Sequence, residues 1–197
     1  MAEVKILVQG YTTADSATEG DEKTCATITL VRDKNIVMVC DPGVLDSQQI
    51  LIDALKKEGL TINDVNYIFI THSHIDHYRN IGMFPDAKTL EYWGIWDGGR
   101  AEDWKENFTE DIKIIKTPGH NYDGLTLLIK TKEGLSFRSS QAKEEIIAVC
   151  GDVFWKENYP ENDPYASDLK KLQESRQKVL QLADFIIPGH AGMYKVK

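Results

Sequence analysis

The stretch from residue 71 to residue 77 constrains this chain more than any other, because it places four metal-ligand side chains within six residues. They are His72, His74, Asp76 and His77. Imidazole nitrogens and carboxylate oxygens are the ligands that zinc accepts, and a catalytic ion needs about three protein ligands so that one position stays open for water. Adjacent side chains such as Asp76 and His77 diverge on most backbones, so one ion is difficult for all four to share. The spacing therefore predicts two neighbouring ions, with His72 and His74 on one and Asp76 and His77 on the other.

Four apolar, β-branched runs each lead to a further ligand residue or to the cluster itself. Such runs are typical of buried strands, and we expect them to deliver their final residues to one rim of the fold. Two of them close with a Pro-Gly step, in which Pro fixes φ and Gly can adopt a positive φ, so the chain can turn sharply and aim the next side chain. A fifth run ends at Asp41, a carboxylate suited to orienting a liganding histidine. The four runs, residues 67–71, 114–117, 146–150 and 185–187, lead to His72, His120, Asp152 and His190.

The histidine count supports a metal site. The chain contains 5 histidines, and all of them lie in the segments named above. A single histidine on an apolar stretch is more often a structural residue than a ligand. Because none of the five is left over for the core or the surface, the whole set favours metal binding over a structural role.

The order of these residues resembles the signature of the metallo-β-lactamase superfamily, His-x-His-x-Asp-His followed by a His, an Asp and a final His, over essentially the whole chain. The resemblance implies an α+β fold, a four-layered αββα sandwich with a dinuclear site at one edge. It implies that the first metal is held by His72, His74 and His120, that the second is held by Asp76, His77 and His190, and that Asp152 bridges them.

The function implied is hydrolysis by two Zn²⁺ per chain. A bridging water would have its pKa lowered to about 7 and would supply hydroxide at neutral pH, while Asp76 would orient it and accept its proton. Residues 174–190 also resemble one small group of the superfamily whose activity is tied to RNA cleavage. The first substrate prediction is therefore a short single-stranded RNA, with side activity on β-lactams. Hydrolysis of a small-molecule lactone or thioester is the alternative.

A second alternative comes from another class of enzyme. The chain also resembles the mononuclear iron persulfide dioxygenases, which keep the same ligand pattern but bind one Fe²⁺ per chain through a triad, here His72, His120 and Asp152. A metal-stabilised binding module without turnover is a third possibility. The intact set of ligand positions argues against it.

Composition limits the remaining choices. At 197 residues and 42% hydrophobic content, the chain is predicted to form one domain, residues 1–197. No secretory signal and no apolar run of roughly 18 residues is visible, so no membrane partner is expected. The three cysteines lack metal-type spacing and are interpreted as buried, reduced thiols of a cytoplasmic protein. The net charge of −8 argues against a broad phosphate-binding face, although bound dications would add local positive charge. No feature of the sequence indicates an oligomeric state.

Four further segments matter for the site. Asp46 or Ser47 is predicted to cap a helix that runs to about Glu58, and Asp163-Pro164 is predicted to begin a helix of about five turns. The polar loop of residues 10–24 either overhangs the metals or simply connects two strands. The aromatic segment of residues 93–108 holds three of the 4 tryptophans. It forms a substrate-facing wall, a subunit contact or the cover of a sheet edge.

Overall fold

The computed structural model describes residues 1–14, 21–132 and 144–196. Its elements are numbered in chain order. The helices are α1 (Gln49–Lys57), α2 (Ile75–Tyr78) and α3 (Leu169–Leu182), with 3₁₀ turns at Ile62–Asp64, Ile81–Met83 and Gly151–Val153. The strands are β1 (Glu3–Val8), β2 (Tyr11–Thr12), β3 (Thr24–Cys25), β4 (Ile28–Asp33), β5 (Ile36–Cys40), β6 (Tyr67–Phe69), β7 (Lys88–Glu91), β8 (Gly94–Asp97), β9 (Arg100–Glu102), β10 (Ile112–Lys116), β11 (Leu125–Lys132), β12 (Glu144–Val149), β13 (Phe185–Ile187) and β14 (Tyr194–Lys195).

Two mixed sheets form the centre of the fold. One has seven strands in the order β1-β4-β5-β6-β7-β8-β9, and the other has five in the order β10-β11-β12-β13-β14. Strand β6 lies parallel to β5 and β7, and β12 lies parallel to β13. The short β2 and β3 pair with each other.

Three apolar clusters separate four layers, which confirms the predicted α+β αββα sandwich. The central cluster lies between the two sheets, and the outer clusters pack α1 against the seven-stranded sheet and α3 against the five-stranded sheet. Strand β11 shows the alternation that makes this possible. Leu125, Leu127 and Ile129 face the central cluster, whereas Leu128 faces α3. Successive strand residues point to opposite faces, so a strand buried on both sides is largely apolar. The buried Thr126 of β11 pairs its hydroxyl with that of Thr117 at 2.9 Å.

The four predicted strand ends meet at one rim, as expected from the sequence. Strands β6, β10, β12 and β13 all run towards it, and backbone hydrogen bonds join the two sheets there. Leu125 N–H donates to the Thr71 carbonyl at 2.8 Å, and Thr27 N–H donates to the Gly189 carbonyl at 2.6 Å. The first bond fixes the residues that follow β6 against the start of β11, and the second fixes the residues before β4 against those that follow β13.

The two Pro-Gly steps need glycine for different reasons. Gly119 has a φ of 137°, in the region that favours glycine, and a Cβ there would collide with the backbone of Leu172 in α3. Gly189 has no positive φ, contrary to what the Pro-Gly pattern suggested. Its Cβ would instead collide with the carboxylate of Asp152. A close approach of backbone to a site residue therefore explains the second glycine.

The predicted start of the long helix at Asp163-Pro164 is wrong. Helix α3 begins at Leu169, and the side chain of Asp168 caps it by accepting from Lys171 N–H at 3.0 Å. Asp163 is instead buried beside His120. The prediction for α1 is close, because the Ser47 hydroxyl accepts from Gln49 N–H at 3.2 Å and the helix ends at Lys57.

No helix within the described ranges is long and apolar enough to cross a membrane. The three cysteines, Cys25, Cys40 and Cys150, are buried and free, as predicted. The cytoplasmic location and the single-domain boundaries stay predictions.

Candidate metal centre

The rim gathers the seven candidate ligands into two adjoining groups. The first group is His72, His74, His120 and Asp152, and the second group is Asp76, His77 and His190; within each group the ligand atoms lie within 4.8 Å of one another. Ligand atoms about 2.0–2.1 Å from a zinc ion must themselves be a few Å apart. Both groups meet that condition.

The first group converges tightly on one point. His74 Nδ1 lies 3.0 Å from His72 Nε2 and 2.9 Å from His120 Nε2. Asp152 Oδ2 lies 3.3 Å from His120 Nε2 and 4.0 Å from His72 Nε2. Three imidazole nitrogens and one carboxylate oxygen therefore surround a single position.

The second group is joined to the first through the same carboxylate. Asp152 Oδ1 lies 3.4 Å from His77 Nε2 and 3.2 Å from His190 Nε2. Asp76 Oδ2 lies 3.8 Å from His77 Nε2 and 3.6 Å from His190 Nε2. Asp152 Oδ2 also lies 3.2 Å from His190 Nε2. This carboxylate therefore lies between the two groups, as a bridging ligand must.

Hydrogen bonds to Nδ1 fix the tautomers of four histidines. His77 Nδ1–H donates to Asp41 Oδ2 at 2.8 Å, and His120 Nδ1–H donates to Asp163 Oδ2 at 2.6 Å. His190 Nδ1–H donates to the carbonyl of Cys25 at 3.0 Å. Each of these rings therefore presents the Nε2 lone pair to the centre, the arrangement that metal-binding histidines adopt.

His72 is fixed by a relay of two hydrogen bonds. The Thr71 hydroxyl donates to Asp41 Oδ2 at 2.7 Å, so its oxygen is left to accept from His72 Nδ1–H at 3.1 Å. The same Asp41 accepts the backbone N–H of Thr71 at 2.8 Å. Asp41 therefore contacts His77 directly and His72 through Thr71, and its role in orienting metal ligands stays a prediction.

Two buried polar atoms at the centre have no hydrogen-bond partner among the described residues. They are His77 Nε2 and Asp152 Oδ1. An unpartnered polar atom in the interior costs about 1–3 kcal/mol, so native proteins retain one only where another group satisfies it. A cation between these two atoms would do so. The residues present therefore fit a bound metal ion.

The electrostatic environment differs between the groups. Burial lowers the pKa of His72 well below its usual value and also lowers the pKa of His74. Burial by itself lowers the pKa of His77 and His190, but carboxylates outweigh it and raise both pKa values, with Asp152 the larger contributor. Burial by itself raises the pKa of Asp152, but His190 and His77 outweigh it and hold that pKa well below its usual range.

Asp163 supports the first group, although no sequence pattern indicated it as a site residue. The residue is 3% exposed, and besides the His120 Nδ1–H its carboxylate accepts the backbone N–H of Tyr165 at 2.9 Å through Oδ1. The Asp-Pro step was interpreted as a helix start because that pattern is typical of one. The helical pattern from Leu169 already had Asp168 directly before it as a cap, which left Asp163 without a capping role.

A cleft of about 120 Å³ opens onto both groups. Thr12, Glu22 and Thr24 line one side of it, and Trp155 and Tyr165 line the other. The Tyr165 hydroxyl donates to Glu22 Oε1 at 2.8 Å across the mouth. The described part of the 10–24 loop therefore lies over the site, as one of its two interpretations predicted, and residues 15–20 lie outside the described residues.

The aromatic segment covers the edge of the seven-stranded sheet. It contains β8 and β9, the last two strands of that sheet, and the Trp104 indole donates to the carbonyl of Tyr92 at 3.2 Å. Trp93 remains 66% exposed. The sheet-edge interpretation is confirmed, and none of the tryptophans of this segment lines the metal cleft.

Residues 26–131 match the family described as the metallo-beta-lactamase superfamily. A Xenopus laevis protein named metallo-beta-lactamase domain-containing protein 1 is 28% identical over 203 residues, which cover 98% of this chain and 81% of that protein. This chain spans 61%, 63% and 59% of the mouse, rat and human proteins of that name. The narrower resemblance expected from residues 174–190 is to this same group of proteins.

Two further similarities extend to archaea and bacteria. A protein of Methanocaldococcus jannaschii, named as a probable metallo-hydrolase, is 29% identical over 164 residues, which cover 81% of this chain and 74% of that protein. A crystal structure from Thermotoga maritima, assigned to the metallo-beta-lactamases, has a TM-score of 0.72 at 21% identity and covers 98% of this chain and 99% of its own.

Proposed function

The chain belongs to the metallo-β-lactamase superfamily of metal-dependent hydrolases, and on this premise we propose that it is a dinuclear enzyme that hydrolyses a small acyl substrate. His72, His74, His120 and Asp152 Oδ2 would hold one dication. Asp76, His77, His190 and Asp152 Oδ1 would hold the other. Zinc is the ion that this mixture of imidazole and carboxylate ligands favours.

One observation carries the proposal: four imidazoles present their Nε2 lone pairs to two adjoining points because each Nδ1–H is bound to an acceptor. The Nδ1–H donors of these four rings point away from the centre, so the approach of His74 Nδ1 to His72 Nε2 at 3.0 Å and to His120 Nε2 at 2.9 Å can supply at most one hydrogen bond between the rings. Two other atoms that face the centre lack partners among the described residues. Such an arrangement is stable only around positive charge.

Bound dications supply Lewis acidity, which lowers the pKa of a coordinated water to about 7 and polarises the substrate. The chain's own residues position the reaction around them. Asp76 Oδ2 accepts the Thr24 hydroxyl at 3.0 Å, which holds that carboxylate at the cleft floor. From there Asp76 would orient the attacking water and accept its proton. Trp155 and Tyr165, stacked at 5.8 Å between ring centroids, form the wall that limits the entry of other water.

The lining of the cleft supports an uncharged substrate. Among its described lining residues there is no Lys or Arg, whereas Glu22 stands at the mouth. Proteins bind the phosphate backbone of nucleic acids through clustered cationic side chains, and the chain carries a net charge of −8. A lactone or a similar compact acyl group fits these features better than RNA. The RNA substrate stays a prediction, to be tested alongside.

The iron alternative is supported by no separate observation. Its triad, His72, His120 and Asp152, lies within the first group and has suitable geometry. The second group would then have no role, although Asp41 and Cys25 orient two of its histidines. The dinuclear proposal uses all seven side chains.

The first experiment is elemental analysis of protein purified without added metal or chelator. We expect about two zinc per chain. About one iron per chain, together with sulfur-dependent oxygen uptake, would overturn the dinuclear hydrolase. The purified protein is then assayed on a lactone, a thioester, nitrocefin and a single-stranded RNA oligomer. Lactone turnover should exceed RNA cleavage, and the opposite order would overturn the substrate class while leaving the metal centre intact.

Asp76→Asn tests the assignment of the proton acceptor. Loss of a general base typically reduces turnover 10²- to 10⁴-fold, and we expect a loss in that range when both ions are still bound. Glu22→Gln is the matched control, because it removes a carboxylate from the same cleft without touching either ligand group. Near-normal turnover by Asp76→Asn with two ions per chain would contradict the assignment.

A further inference from the structure

Arg176 is a buried cation on helix α3 that belongs to neither ligand group. The residue is 6% exposed. An arginine side chain stays protonated in proteins, so its charge is buried with it. Because burying a charge is costly unless other groups compensate, the contacts of Arg176 show what the fold gains from it.

The guanidinium group of Arg176 joins two parts of the chain between β12 and α3. Its Nε–H donates to the Val153 carbonyl at 2.9 Å, and an N–H of Nη1 donates to the Glu161 carbonyl at 3.1 Å. Val153 directly follows Asp152, and Glu161 comes two residues before Asp163. One side chain therefore holds the backbone beside the bridging carboxylate and beside the carboxylate that supports the first group.

This part of the chain has little regular structure of its own. Between β12 and α3 there is one 3₁₀ turn, Gly151–Val153, and one isolated bridge, between Lys156 and Tyr159. Backbone pairing therefore does little to fix Val153 relative to Glu161. A guanidinium group is a planar fork with donors in a fixed geometry, so it can set the separation of the two carbonyls.

Two further contacts of α3 act on the same part of the molecule. The guanidinium carbon of Arg176 lies 5.4 Å from the ring centroid of Phe154, within the range of a cation–π interaction. The buried Ser175 hydroxyl donates to the Pro118 carbonyl at 2.7 Å, two residues before His120. By contrast, no side chain of α3 hydrogen-bonds to α2, the helix that carries two ligands of the second group.

The charge of Arg176 suits this position. Burial lowers the pKa of Arg176, and the negative charge of Asp163 is the largest influence that opposes this change. Each of the two buried charges therefore offsets part of the desolvation cost of the other. Replacing the arginine by a neutral residue would remove both the charge and the fork.

We propose that Arg176 is a positioning residue for the first ion, which holds the carbonyls of Val153 and Glu161 in one geometry and thereby keeps Asp152 and Asp163 in place. It acts through these residues and does not line the metal cleft. The proposal rests on the metal centre of the proposed function.

Arg176→Lys is the principal test. It keeps the positive charge but replaces the planar fork by a single ammonium group, which does not hold two carbonyls in the same geometry. Metal-free protein is titrated with zinc in a calorimeter, in a His190→Ala background to measure the first ion and in a His74→Ala background to measure the second. We expect the first ion to bind about 10- to 100-fold more weakly, the range for residues that orient ligands, and the second ion to change less.

The outcomes separate this proposal from the proposed function. If the protein with Arg176 binds two ions and Arg176→Lys leaves the affinity for the first ion unchanged, the positioning role is refuted and the dinuclear centre stands. If the protein with Arg176 binds no metal, both proposals fail. If Arg176→Lys does not fold, Arg176→Gln takes its place in the same titrations, and an unchanged affinity for the first ion again refutes the role.

Val179→Ala separates positioning from general stability. Val179 is fully buried between α3 and the five-stranded sheet, and its side chain has no hydrogen-bond donor for either carbonyl. We expect this variant to lower the melting temperature and to leave the zinc affinity of the first group nearly unchanged. If it weakened the first ion as much as Arg176→Lys does, at a similar loss of melting temperature, the role of Arg176 would be structural only and the proposal would be overturned.

Discussion

The two ligand groups lie side by side and share Asp152, yet their surroundings prepare them differently. Burial dominates in the first group and lowers the pKa of His72 and His74. In the second group, carboxylates outweigh burial and raise the pKa of His77 and His190. An imidazole must be neutral to bind a metal ion. His72 and His74 therefore take up a competing proton less readily than an unperturbed imidazole does, whereas His77 and His190 take one up more readily.

The groups also differ in how they are assembled and supported. Asp76 and His77 lie within the four-residue helix α2, and only His190 comes from the other sheet. The first group takes His72 and His74 from the segment after β6, and His120 and Asp152 from two strand ends of the five-stranded sheet. Each group therefore spans both sheets. An ion in either group would hold the sheets together at the rim.

The largest effect is expected from Asp152→Asn, which breaks both groups at once. The carboxylate of Asp152 lies between the two groups, and the replacement removes the negative charge that both ions would share. We expect the metal content to fall well below two per chain and turnover to fall more than about 100-fold, beyond the usual loss for a residue that only supports ligands. Elemental analysis and kinetics measure this. Two tightly bound ions in the variant would contradict the bridging role.

Removing one ligand from each group in turn tests whether the two ions bind independently. His74→Ala should cost the first ion and His190→Ala the second, so each variant should retain about one ion per chain. Turnover should drop strongly in both, because the proposed chemistry uses two ions. Metal titration followed by calorimetry distinguishes the variants. If either substitution released both ions together, the groups would form one cooperative site rather than two.

Smaller effects are expected from the carboxylates that orient the ligands. Asp163→Asn leaves the shape around His120 intact but weakens the acceptor for its Nδ1–H, and Asp41→Asn does the same for His77. Losses of about 10- to 100-fold in metal affinity are typical for such partners. We expect Asp163→Asn to weaken the first ion. Asp41→Asn should weaken the second ion most and the first less, because Thr71 relays Asp41 to His72.

These two carboxylates show how far the sequence could predict the site. Asp41 ends an apolar strand beside the strand that leads to His72, so its proximity follows from strand order. Asp163 lies 43 residues beyond His120 in a segment without regular structure. No periodicity links Asp163 to His120, and these residues meet only because the chain before α3 folds back over the end of β10. The seven candidate ligands were recognisable because each follows a strand or lies in one short motif.

The residues at the edge of the seven-stranded sheet show a similar limit to predicting the fold from the sequence. The apolar, β-branched runs predicted the buried strands correctly. Strands β8 and β9 were not predicted, because an edge hairpin is held by backbone pairing and its side chains are mostly exposed. Gly189 was identified as a turn residue, but the close approach of Asp152 that requires it depends on tertiary contacts.

Lowering the pH should release the second ion before the first. The raised pKa values of His77 and His190 mean that both rings take up protons at a higher pH than an unperturbed imidazole does. Each competing proton reduces the apparent affinity about tenfold per pH unit below the pKa. His72 and His74, with lowered pKa values, resist protonation until a lower pH. Metal content after dialysis across a pH series measures the order in which the ions are released. His190→Ala should retain only the first ion, so the pH at which this variant loses its metal identifies the first ion. Loss of the first ion at a higher pH than the second would contradict this expected order of release.

The smallest effect is expected from Thr24→Val, which changes the surroundings of the second group without removing a ligand. The Thr24 hydroxyl donates to Asp76 Oδ2 at 3.0 Å and lies 3.2 Å from His190 Nδ1, so both of its contacts belong to the second group. Valine keeps the shape of the side chain and loses both contacts. A single hydrogen bond to a charged group contributes about 1.5–3 kcal/mol at most, and here Asp76 would still bind the ion and His190 would still donate to the Cys25 carbonyl. We therefore expect the second ion to bind less than about tenfold more weakly and the first to be unaffected, measured by titration of the metal-free protein. An equal change for both ions would mean that the groups are coupled through Asp152 more strongly than their separate hydrogen-bond networks indicate.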